Sequence, residues 1–194
     1  MGPLFISVLP LAPSWDNVPF VTMGEGSVSL ADDLARIMLQ EERLRFAKFD
    51  EADAWKLGSQ MREAALARKL PLVIDIRVAG RPLFYAALPG TSPDYAEWVR
   101  RKINVVMRLH KCSYRVSREI AQSGQALDEL RGVNPIDVAP HGGCFPIHLT
   151  GTGIVGTVTV SGIPQREDHN FVVESLSRFL GVDHAALALP SETS

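Results

Sequence analysis

Two hairpin signatures constrain the fold of this chain more than anything else in its sequence. Leu72-Val73-Ile74-Asp75-Ile76-Arg77-Val78 alternates apolar and polar residues over much of its length. Ala79-Gly80 then separates it from a second apolar run over Leu83–Ala87. A two-residue turn ending in glycine supplies the positive φ that joins neighbouring antiparallel strands. Farther on, residues 144–149 and 154–161 read as strands around the Gly151–Gly153 turn. Hairpins pair antiparallel, so a doubly wound parallel sheet is excluded.

Helical patterns surround both hairpins. Ser29 precedes a stretch with Asp32 and Asp33 in its first turn and Leu34, Ile37 and Met38 on one face, which predicts a helix to about residue 41. Leu44–Phe49 reads as a short strand. Asp50 is an N-cap for a helix over 51–69, with Ala54, Leu57, Met61, Ala64 and Ala65 inward. After Pro89-Gly90, Ser92 or Asp94 opens a helix with Tyr95, Trp98, Val99, Ile103, Val106 and Leu109 as its buried stripe. A further helix spans 113–131, with Gly124 as an interruption, and a last one spans 166–180, ended by Gly181. The expected fold class is therefore α+β, an antiparallel sheet flanked by helices. With 194 residues the chain suits one domain over 28–185, with an irregular N-terminal arm over 1–27 and a C-terminal tail over 186–194.

Charge is near balance at −2, which argues against a polyanion-binding molecule. The distribution is uneven: residues 97–119 hold seven Lys or Arg and two Glu, whereas residues 120–194 hold three Arg and eight acids. No aromatic interleaving accompanies the basic helix, so nucleic acid is not an expected partner. No apolar run approaches the roughly 18 residues of a membrane span. Two cysteines, Cys112 and Cys144, make no disulfide framework, and a cytoplasmic setting is expected.

Chemistry concentrates between residues 141 and 169. His141-Gly142-Gly143-Cys144-Phe145-Pro146-Ile147 leads into the second hairpin. Its outgoing strand runs through Ser161-Gly162-Ile163-Pro164-Gln165-Arg166-Glu167-Asp168-His169 into the last helix. Backbone N–H groups and the helix dipole favour an anion at such a junction. Ser161, Gly162, Arg166 and Asp168 line it, either as a carboxylate site or as a capped junction. His141 carries an imidazole suited to heme iron or a transition metal, and the adjacent glycines leave room for a flat macrocycle. The bland alternative is a loop histidine bonded to backbone or to a partner subunit. His148 and His169 are further ligand candidates, although no pair has the spacing of a helical metal site. Cys144 is a nucleophile candidate beside His141, or simply small core filling.

These motifs resemble the heme-degrading-domain family of the GlcG and HbpS type. The family pattern is a Gly-Gly-x-Pro-Ile-like strand, then Val-Gly-x-x-x-Val-Ser-Gly, then an acidic residue opening the last helix. Gly142–Ile147, Val155–Gly162 and Asp168 match it. The uncharacterised UPF0303 subfamily is a closer match. It adds Leu83-Phe84, Gly90-Thr91, Trp98, Arg101-Lys102, His141 and the whole Ser161–His169 run. Tyr95 stands where the subfamily usually has Asn, and Cys112 replaces the first of a usual serine pair. The resemblance covers roughly residues 30–185. It implies a profilin-like α/β sandwich and a symmetric homo-oligomer, with links to heme binding or breakdown, to corrinoid-related proteins and to glycolate operons.

The leading expectation is an oligomeric protein that binds heme, another tetrapyrrole or a small anionic ligand. The ligand would sit on His141, Gly142, Gly143, Phe145, Ser161, Gly162, Arg166, Asp168 and His169, with Arg101 and Lys102 reaching any anionic group and His141 on the iron. The alternatives are an assembly scaffold without small-molecule chemistry, or a small enzyme acting on a 2-hydroxy or 2-oxo acid.

Overall fold

A computed structural model describes residues 29–127 and 132–189. The N-terminal arm expected over 1–27 and the last five residues of the C-terminal tail, 190–194, lie outside the described residues.

Helix α1 spans Leu30–Arg43, and the Ser29 hydroxyl accepts the Asp32 N–H at 3.1 Å. Its inward stripe is Asp33, Ile37 and Gln40, whereas Met38 is 51% exposed. Hydropathy misplaced this face because two polar residues with distant partners occupy it. The strand expected over Leu44–Phe49 is reduced to one bridge between Phe46 and Leu149, so that expectation is corrected. Helix α2 (Glu51–Ala67) opens with a reciprocal capping box between Asp50 and Asp53.

The first hairpin is β1 (Val73–Val78) and β2 (Arg81–Ala87), with Ala79 and Gly80 at φ 50° and 77°. Helix α3 spans Tyr95–Leu109 and α4 spans Ser113–Ser123. Gly124, at φ 69°, ends α4 where an interruption was expected, and residues 128–131 of the helical stretch expected over 113–131 lie outside the described residues. The second hairpin is β3 (Cys144–Leu149) and β4 (Gly153–Ser161), and α5 (Gln165–Leu180) closes at Gly181.

The four strands form one antiparallel sheet in the order β2-β1-β4-β3. Ile74 pairs with Val160, and Val158 pairs with both Ile76 and Phe145, so their side chains share a face. Helices α2 and α5 pack there and build the main core with Leu57, Met61, Val172 and Leu176. Helix α3 packs on the sheet as well, mostly against β4 and β3. The alternate residues of the strands include Asp75, Thr157 and Thr159, all fully buried. This is the α+β sandwich that the hairpins required.

Two consequences position the site. The start of β3 and the end of β4 share one end of the sheet, where the Val160 N–H donates to the Gly143 carbonyl at 2.8 Å. Helix α5 begins at the same end, after the Gly162–Pro164 turn. Beyond α5 the chain stays on the body. Leu187 and Leu189 are buried, and the Gln40 side-chain amide donates to the Leu187 carbonyl at 2.8 Å. No helix among the described residues is long and apolar enough to cross a membrane.

Candidate functional site

The sequence-predicted residues separate into three groups. The first is buried around Lys102. Its ammonium donates to the Asp168 carboxylate at 2.7 Å and to the Val160 carbonyl at 3.1 Å. Both side chains of this ion pair are almost wholly buried. It joins α3 to α5 across the end of β4. Burial pushes the Asp168 carboxyl up to about 6, against the opposing pull of Lys102. Gly143 lies in the same packing. A Cβ there would fall 2.5 Å from the Val160 carbonyl oxygen and 2.9 Å from Lys102 Nζ. A Cβ on Gly142 would fall 1.9 Å from the Gln165 carbonyl oxygen. The glycine pair is therefore filled by the chain's own backbone and side chains, not left as room for a macrocycle. Ser161 is buried here, and Gly162 meets the Pro71 backbone just as closely.

The second group ties α5 to α1 and α4. Arg166 makes two bonds to Asp33, at 2.6 and 3.0 Å, and one to the Tyr114 hydroxyl at 3.2 Å. His169 is buried, with Nε2 2.8 Å from Gln40 Oε1 and its ring 4.9 Å from that of Tyr114. Gln40 uses its NH2 on Leu187, so its oxygen faces His169 and the imidazole is the donor. Burial, reinforced by the Arg166 charge, drives the His169 pKa down to about 3, so the ring stays neutral. Phe145 is buried beside it. Arg166, expected at an anion, is engaged by Asp33, and His169, expected as a ligand, is a core residue.

The third group is at the surface. His141 is exposed, and its ring stands edge-on to Trp98 at 5.5 Å between centroids. The Arg101 guanidinium lies 5.1 Å from the same indole and donates to the Pro135 and Val138 carbonyls at 3.2 Å each. Its Nε is buried without an acceptor. The covered side of the His141 ring loses water, and Lys102 and Arg101 lie nearby. Burial first and these two charges second hold its pKa below the ordinary value. His141 is thus an imidazole kept in the form that offers a lone pair.

Other candidates are placed elsewhere. Cys144 is buried and accepts the Thr159 hydroxyl at 3.0 Å, and burial pushes its thiol up to about 12. A thiol so protonated is a poor nucleophile. His148 is half-exposed on β3, near Arg45 and Glu41. Among the described residues, no three His, Cys, Asp or Glu side chains gather as a metal-ligand set. The basic residues of α3 and of the turn after it find acidic partners: Arg100 pairs with Glu97 at 2.6 Å and Lys111 with Glu119 at 2.7 Å. A groove of about 570 Å³ is lined by Arg68, Leu70, Ile163, Phe171, His184 and Leu189 among others and does not include His141. Sequence reasoning missed Trp98 as a partner of His141, having placed it in the buried stripe. The Arg118 guanidinium, 4.9 Å from the centre of the Tyr114 ring, was likewise not anticipated, although its i, i+4 spacing from Tyr114 was the available signal.

A four-stranded antiparallel sheet between helices, with a glycine-tight strand start against the last helix, defines an α+β sandwich of the HbpS class. The chain belongs to the family described as "Haem degrading protein HbpS-like", whose model matches residues 49–177. Among curated proteins it is 52% identical to a UPF0303 protein of Acidobacterium capsulatum, over 84% of this chain and 99% of that protein. It is 50% identical to a UPF0303 protein of Rhizobium meliloti, over 84% and 100%. Among solved structures, the Ybr137w protein superposes with a TM-score of 0.72 at 26% identity, over 78% of this chain and 92% of that one. A PduOC–heme complex superposes with a TM-score of 0.58 at 20% identity, over 70% and 97%, and shares the fold.

Proposed function

We propose that this protein binds heme, or a tetrapyrrole of the same shape, with His141 as the iron ligand. One observation carries the reading: His141 alone among the candidate imidazoles is both exposed and held unprotonated, with its ring braced by Trp98. The donor set suits the group. A neutral imidazole ligates heme iron, the Trp98 indole offers an apolar edge, and the half-buried Arg101 carries a charge complementary to a propionate. Membership of a family named for haem degradation and the heme-bound neighbour of the same fold support it. Bound iron would supply any redox chemistry. The chain's residues orient the imidazole and keep it free of a proton.

Hemin titration into the purified protein tests this. The expected result is stoichiometric binding, with a Soret band that shifts on ligation and is lost in His141→Ala. A spectrum and affinity unchanged in His141→Ala remove His141 from the site and leave only adsorption of hemin to apolar surface.

A further inference from the structure

We infer that the apolar run over residues 3–13 of the N-terminal arm docks in the groove between α5 and residues 184–189 of its own chain. The inference stands apart from the tetrapyrrole reading and uses neither His141 nor Trp98.

The groove has an apolar floor. Leu70, just after α2, Ile163 before α5, Phe171 within α5 and Leu189 all line its volume of about 570 Å³. Leu70 and Ile163 are only half-buried, so part of this floor meets solvent. The cation on its border is engaged within the protein: Arg68 donates to Glu174 at 2.7 Å and lies over the Phe171 ring. Such a groove gains most from apolar side chains that exclude water.

Residues 3–13 are an occupant of that chemistry. They hold Leu4, Phe5, Ile6, Val8, Leu9 and Leu11, and no charged side chain precedes Asp16. Prolines at 3, 10 and 13 work against the continuous backbone pairing of a helix or a central strand. The apolar side chains of this run therefore need a surface from the rest of the molecule. The UPF0303 protein of Acidobacterium capsulatum is matched over 99% of its length by 163 of these 194 residues. About as many residues as the arm holds thus lie outside the shared fold.

The point of attachment puts the arm beside the groove. The described chain begins at Ser29, the N-cap of α1. One turn on, Asp33 is bonded to Arg166, whose neighbour Glu167 borders the groove. Nearly a turn farther, Arg36 donates to the Ala186 carbonyl, and Ala188 just beyond lines the same groove. The first two turns of α1 are therefore tied to both walls. Residues 14–28 connect the apolar run to this point and can span about 50 Å when extended, ample for the approach. A tether of this kind holds the run at an effective concentration on the order of millimolar, so weak apolar contacts suffice to keep it docked.

Photocross-linking in the full chain tests this. Phe5 is replaced by p-benzoylphenylalanine, the protein is irradiated, and the products are mapped by mass spectrometry. The expected result is a cross-link within one chain to residues 163–171 or 184–189. Two further substitutions are made in that background: Leu9→Asp, which charges the run, and Ala188→Glu, which charges the groove, with folding checked by thermal unfolding. Each should lower the yield of that cross-link at least fivefold. A cross-link to another part of the chain, or none, overturns the docking. Products of doubled mass overturn it in favour of a contact between copies. A groove cross-link undiminished in both folded variants overturns it as mere proximity.

Discussion

The two sides of the 141–169 segment satisfy their polar groups in opposite ways. On the inner side each charge or imidazole has a protein partner: Lys102 with Asp168, Arg166 with Asp33, His169 with Gln40. On the outer side His141, Arg101 and Arg118 are braced by aromatic rings, and both guanidinium groups keep a buried Nε without an acceptor. An unpaired charge is strongly disfavoured in a dry interior, so the inner side can only be built closed. The outer side is only partly covered: water reaches the His141 ring, and the guanidinium groups lie against aromatic faces in place of a carboxylate. The lesson is that the most distinctive motif of the sequence secures the fold, and groups that flank it are the ones able to meet a ligand.

The largest effect that probes this contrast comes from Asp168→Ala. It strands the Lys102 ammonium in the interior with only the Val160 carbonyl, which should cost about 3–5 kcal/mol in urea unfolding. Replacing both partners with apolar residues, Lys102→Met with Asp168→Leu, should recover most of that loss. A single-variant loss below about 1 kcal/mol would mean the pair is hydrated, and the inner side would then not be closed.

An intermediate effect comes from His169 and acid. Its pKa is about 3 in the folded protein, against an ordinary 6.5, so the unfolded chain binds the proton first. Stability from this group is present above 6.5 and is lost as pH falls towards 3. Between pH 7 and pH 5 the loss is about 2 kcal/mol, and His169→Gln should remove it. Asp168 works in the opposite sense. Its folded carboxyl, at about 6, lies above the ordinary 3.8, so its contribution is complete below 3.8 and is lost as pH rises through 6. Urea titrations of wild type and variant at the two pH values isolate the histidine. An identical slope in both would place the His169 ring in water.

The same contrast explains how much was legible in the sequence. Both hairpins, the Ser29 and Asp50 caps and the Gly181 stop were readable because each is decided by residues within a few positions of one another. The buried faces of α1 and α3 were not. Asp33 and Lys102 look like solvent-facing charges until their partners arrive from 133 and 66 residues away. The Leu44–Phe49 run has strand composition, but with one bridge it has no neighbour to make it a strand. At the candidate site, His141 and Arg101 were visible as types. The neutral state of His141 depends on Trp98 and Lys102 packing behind it, and no spacing encodes that.

The smallest stability effect belongs to His141. Its ring is exposed and touches Trp98 edge-on, and no side-chain hydrogen bond holds it among the described residues. His141→Ala should therefore change unfolding free energy by less than about 0.5 kcal/mol, within the range of ordinary surface substitutions. Trp98→Ala removes the brace and the platform under Arg101 together, so it should lower stability more. It should also let the His141 pKa rise towards its ordinary value, read from the imidazole resonances across pH 5 to 8. That pairing separates the outer side from the inner one. A residue that matters for ligand and not for fold must vary without unfolding the protein. If His141→Ala instead costs as much as Asp168→Ala, the imidazole is another closed internal contact and the two sides are one.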